Sequence, residues 1–110
     1  WAMLLQEKIA ELLRRPEKGA DAPSLDSIES TLTDGYAQAL ALEAERMRIE
    51  RRLGEVARDA GEVSAHSVAA ELSQLSERLD STDGEIVRLR TLLHSLQVRA
   101  RTLRGSRSRR

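Results

Sequence analysis

Two histidines, one tyrosine and an arginine-rich end are the side chains of this chain best placed for chemistry, and their spacing limits what that chemistry is. Val63 stands three residues before His66 and Thr91 three before His94. The Glu-x-x-His unit of a di-iron helical bundle is therefore absent, and Glu62 with His66 is the nearest approach to a ligand pair. There is no glycine-rich phosphate loop, no His-Glu-x-x-His and no serine in a strand-turn-helix setting. The chain has no Cys, which removes thiolate ligands and cysteine nucleophiles. No enzymatic activity, metal site or resident cofactor is expected. One constellation remains. Asp83, Arg90 and His94 fall on adjacent helical turns, and Tyr36 stands beside Gly35 on the facing arm. A guanidinium binds phosphate bidentately and stacks on planar rings, so these four residues are a candidate groove for an anion or nucleotide. The competing reading is that Arg90 is an ordinary solvated charge at the edge of a helical seam.

The second chemical feature is the C-terminal end. Arg99, Arg101, Arg104, Arg107, Arg109 and Arg110 fall within residues 99–110 without an acidic residue. The formal net charge of zero thus splits: residues 1–98 carry 12 basic and 18 acidic side chains, a balance of minus six against plus six at the end. Six clustered arginines are candidate phosphate contacts should nucleic acid be a partner. Alternatively, they fold back on the acidic body.

Whatever these residues do, helices must position them. Val68, Leu72, Leu75, Leu79, Thr82, Ile86, Leu89, Leu93, Leu96, Ala100 and Leu103 follow four-three spacing, the pattern of a coiled-coil seam. A matching seam precedes it: Leu25, Ile28, Leu32, Gly35, Ala39, Leu42, Arg46, Ile49, Leu53, Val56, Ala60 and Val63. The register slips near Gly61 and Ser64, a C-cap and an N-cap signal, which predicts a turn at about residues 61–66. The rival is one continuous helix through Gly61. In the hairpin, facing residues sum to about 125, which places Leu53 opposite Leu72, Ile49 opposite Leu75 and Gly35 near Arg90. Thr33-Asp34-Gly35 and Thr82-Asp83-Gly84 interrupt the arms, and Thr82 with Glu85 is a capping box that would restart the helix after a kink. Residues 1–15 read as a short amphipathic helix with Leu5, Ile9 and Leu12 on one stripe. Residues 16–24 carry Pro16, Gly19 and Pro23 and read as a linker, with Ser24 or Asp26 capping the long helix beyond it.

The expected fold is all-α: a short N-terminal helix, then an antiparallel two-helix coiled-coil hairpin over 25–104, then a flexible basic tail over 105–110. With 110 residues, 2% aromatics and no Phe, one such hairpin has little core. Leu40 and Met47 lie seven apart on a second stripe, and Val87 and Leu92 flank the other arm. Together with Leu5, Ile9 and Leu12 they form a candidate interface, and a four-helix homodimer is expected. No apolar run approaches the roughly 20 residues of a membrane span, and charges interrupt the N-terminal segment. A soluble, cytoplasmic protein without a signal peptide is expected.

A short helix followed by a helical hairpin resembles actinobacterial anti-sigma factors of the RsiG type, which bind cyclic di-GMP through Glu-x3-Ser-x2-Arg-x3-Gln-x3-Asp repeats. The best superposition places Asp83, Val87, Arg90, His94 and Val98 on one repeat. Arg90 is identical, Asp83 and His94 are loose substitutes, and the first arm carries no copy. The resemblance covers topology and not the nucleotide chemistry, and it implies a regulatory protein whose partner is a sigma factor. The residues themselves point to a non-enzymatic interaction or scaffold protein, acting through homo-oligomerisation or helix-helix binding. The alternatives are a transcriptional regulator of anti-sigma type or a nucleic-acid-associated protein using its arginines.

Overall fold

The computed structural model describes residues 2–61 and 64–108, with side chains from residue 4 to residue 106. Helix α1 spans Ala2–Arg14, α2 spans Leu25–Arg58 and α3 spans Ala65–Ser108. No described residue is in a strand. The chain divides into two compact units, residues 1–39 with 88–110, and residues 40–87.

In the first unit, α1 packs with the opening turns of α2 and the closing turns of α3. A helix of 13 residues is marginal in water on its own. Its stripe explains why it forms: Leu5, Ile9 and Leu12 are buried, at roughly 1.5–3 kcal/mol for each side chain removed from water. Pro16 follows the last turn, and the Arg15 amide closes it on the Leu12 carbonyl at 3.3 Å. The linker then turns at Gly19, whose φ of 101° is left-handed backbone that only glycine adopts without strain. Ser24 starts α2 by accepting the Ser27 amide on its Oγ at 3.1 Å. Because α2 here has two helical neighbours, its buried face is wide: Ile28, Thr31, Leu32, Gly35 and Gln38. Thr31 is fully buried, and its hydroxyl donates to the Ser27 carbonyl at 2.9 Å, so its polarity is satisfied within the helix. From α3 come Leu89, Leu93, Leu96 and Ala100.

The second unit is a plain two-helix hairpin. Its α2 face narrows to one buried residue per heptad, Leu42, Ile49 and Val56. Ile49, Val56 and Leu75 form the core, with Leu53, Val68, Leu72 and Leu79 half-buried around it. The expected Leu53–Leu72 and Ile49–Leu75 neighbourhoods are thus within one cluster. Three interhelical ion pairs match the register: Arg52 with Glu71 at 2.7 Å, Arg78 with Glu45 at 2.8 Å and Arg46 with Asp83 at 3.1 Å. All are largely solvated, so they select the alignment of the two helices more than they stabilise it. At the turn, Ser64 Oγ accepts the Ser67 amide at 3.2 Å and caps α3.

Four expectations need correction. α2 ends at Arg58, so the turn starts at residue 59, earlier than 61; Glu62 and Val63 lie outside the described residues. Neither Thr-Asp-Gly triplet breaks its helix: α2 runs through Gly35 and α3 through Gly84, and Thr82 is a buried seam residue instead of a restart cap. A Cβ built on Gly35 would overlap the Leu93 side chain, which lies three positions further along α3 than the expected Arg90. Finally, α3 continues to Ser108, in place of the flexible tail expected from 105. The linker flanks that last stretch, since Gly19 and Ala22 border the same surface groove as Leu103 and Ser106.

Candidate functional site

The residues of the candidate ligand groove are divided between the two units, Tyr36, Arg90 and His94 in the first and Asp83 in the second. Tyr36 receives a hydrogen bond on its hydroxyl from Gln97 Nε2. Asp83 belongs to the hairpin unit, where Arg46 pairs with it. Arg90 and His94 are exposed on α3. The ring of Tyr36 instead borders an open cavity of about 380 Å³, whose floor is Leu32 and Ala100 and whose polar wall includes Gln97, Arg101 and Arg104. Arg104 Nε is paired with Glu29 Oε1 at 3.0 Å across it, so its positive charge is offset within the chain. Among the described residues no three His, Asp or Glu side chains gather as a metal site, and His66 is exposed at the start of α3.

The arginine cluster is partly committed to the fold. Arg99 reaches the C-terminus of α1, donating from Nη1 to the Leu12 carbonyl at 2.9 Å and the Arg15 carbonyl at 2.8 Å, and from Nη2 to the Leu13 carbonyl at 3.1 Å. The last carbonyls of a helix have no partners within it and carry its negative dipole end, so a planar guanidinium with several donors satisfies them at once. Arg99 and Arg104 are therefore engaged within the chain, which is the fold-back alternative for these two arginines. Arg101 is exposed. The Arg107 side chain, Arg109 and Arg110 lie outside the described residues. Nothing in the sequence around Arg99 signals its role, because its partners are backbone atoms more than 80 positions away.

The candidate interface divides cleanly. Leu5, Ile9 and Leu12 are buried within a single chain, because α1 folds its apolar stripe onto α2 and α3; they are core residues and are not available to a second molecule as docked. Leu92 is half-buried. Leu40, Met47 and Val87 are exposed at 67%, 61% and 65%. Around the first two, Ala41 and Ala44 are also exposed, so α2 presents an uncharged strip on the side away from its seam. Leu4 and Val98 are further exposed apolar residues, which spacing alone does not single out.

The electrostatics of the hairpin unit centre on Glu45. Hydrogen bonds from Arg48 and then Arg78 hold its carboxyl below the ordinary carboxylate value of 4.5. Arg52, bonded to Glu71 and Glu55, is pushed above its ordinary value by those partners. These are ion-pair shifts on solvated side chains. No described helix is long and apolar enough to cross a membrane.

No family model matches this chain, and no curated protein or solved structure matches it either.

Proposed function

We propose that the chain is a non-enzymatic coiled-coil interaction module that acts through homo-oligomerisation. The observation that carries this reading is the strip on α2: Leu40 and Met47, one heptad apart, are mostly exposed, with Ala41 and Ala44 beside them. Two large apolar side chains at heptad spacing present a helix-sized surface, and covering them removes apolar area at about 25 cal/mol per Å². Small residues between them let a second helix approach closely. The thin core of the hairpin unit supports the same conclusion, since α2 there buries one residue per heptad and gains from a further neighbour.

Melting the protein over a range of concentrations tests this. A dimer gains roughly 1.4 kcal/mol per tenfold increase in concentration, so the midpoint is expected to rise by roughly 3–6 °C per decade. A midpoint that stays constant from micromolar to hundreds of micromolar would contradict the proposal.

A further inference from the structure

We infer that the exposed strip of α2 pairs with the same strip of a second copy, antiparallel, about a twofold axis passing between Leu40 and Ala44. This rests on the self-association reading and specifies its geometry. Thr33, Ala37, Leu40, Ala44, Met47 and Arg51 alternate at four-three spacing on one unbroken helix, and all six are exposed. They form a second heptad seam beside the buried one. Its inner members alternate small and large, and that alternation decides direction. Antiparallel pairing about this axis sets Leu40 against Ala44 of the other copy and Met47 against Ala37, a large side chain opposite a small one in each of these layers. A parallel, in-register pair would set Leu40 on Leu40 and Met47 on Met47, leaving Ala37 and Ala44 to face gaps.

Charge selects the same direction. In the antiparallel pair Asp34 of one copy lies beside Arg48 of the other, with Arg51 one turn further on. Among the described residues neither Asp34 nor Arg51 has an ion-pair partner within its own chain. Arg48 has one, Glu45 at 2.7 Å, and its side chain is 62% exposed, which leaves donors for a second acid. A parallel pair would instead bring Asp34 to Glu29 and Glu50 to Glu55, like charges in both places. Glu43 is the one residue that opposes the antiparallel arrangement, because it meets its own copy beside the axis. In a parallel pair it would meet Arg48.

Cysteine cross-linking of the full chain tests the direction, since the protein has no cysteine of its own. Leu40→Cys and Ala44→Cys are exposed substitutions that leave the buried seam intact. Oxidised as a mixture at dimer-forming concentration, the two variants are expected to yield mainly the mixed disulfide joining position 40 of one copy to position 44 of the other, resolved by mass. Asp34→Asn supplies a second readout: the dimer is expected to weaken by roughly twofold to fivefold as the contact with Arg48 of the other copy is lost. Predominant homodisulfides in each variant alone, or a dimer tightened by Asp34→Asn, would overturn the antiparallel geometry while leaving self-association standing. A wild-type chain that sediments as a single copy, with no disulfide in any mixture, would overturn both.

Discussion

Arg99 and Gly35 show how single residues set the fit of this fold. The three hydrogen bonds from Arg99 to the end of α1 replace the partners that a helix terminus otherwise finds in water. Replacement by methionine keeps most of the packing stem and removes the donors. Arg99→Met is expected to cost about 1–3 kcal/mol in urea unfolding and to speed amide exchange selectively in residues 2–14. Arg99→Lys is expected to recover only part of that loss, because an ammonium cannot span three carbonyls as a planar guanidinium does. At Gly35 two effects compete. Alanine would gain about 1 kcal/mol in helix propensity, but its Cβ would overlap the side chain of Leu93, which is buried at 4% exposure and would have to shift within the core. Overpacking costs about 1–3 kcal/mol, so Gly35→Ala is expected to destabilise. Gly54→Ala, with nothing within 4 Å of the new Cβ, is expected to stabilise by about 0.5–1 kcal/mol. Opposite signs in equilibrium unfolding check the pair of substitutions; two gains would contradict the close approach at Gly35.

Among the elements, the seams are the most legible in the sequence. Positions at four-three spacing on α3, from Leu75 through Ala100, are buried or half-buried as the spacing requires, because only one stripe of a helix can face a neighbour. The start of α2 at Leu25 and of α3 at Ala65 follows from local caps at Ser24 and Ser64, which act within a few residues. The features that the sequence does not reveal depend on contacts between distant segments. The burial of Thr31 and Gln38 arises because α2 has a second neighbour there, and the helical state of residues 105–108 accompanies a linker lying alongside. Neither leaves a local signal. The four-residue ligand constellation is legible only in part for a related reason: helix spacing places its members on turns but does not reveal partners such as Gln97 at Tyr36 and Arg46 at Asp83. The hairpin unit also carries a pH dependence. Arg48 and Arg78 depress the Glu45 carboxyl, so its stabilising effect is present above about pH 4.5 and is lost as pH falls through the lower folded value. Acid titration of stability is expected to decline below pH 4.5, and to decline less in Glu45→Gln. An unchanged acid limb in that variant would remove the assigned cause.

For the molecule as a whole, the charge split along the chain is partly closed internally, since Arg104 pairs with Glu29 and Arg99 with helix-end carbonyls. Two of the six clustered arginines therefore have partners within the chain. The apolar strip on α2 stays largely exposed within one chain, and covering it is the role assigned to a second copy. Sedimentation equilibrium of the wild-type chain beside the double variant Leu40→Glu with Met47→Glu is the most direct measurement. Both substitutions are on exposed positions, so the helical content of the variant is expected to stay unchanged by circular dichroism. The wild type is expected at twice the 12.3 kDa of one chain at tens of micromolar, and the variant at the single-chain mass. A wild type that sediments at 12.3 kDa throughout, or a variant that associates as well as the wild type, would contradict the claim that this strip is where the protein meets its own copy.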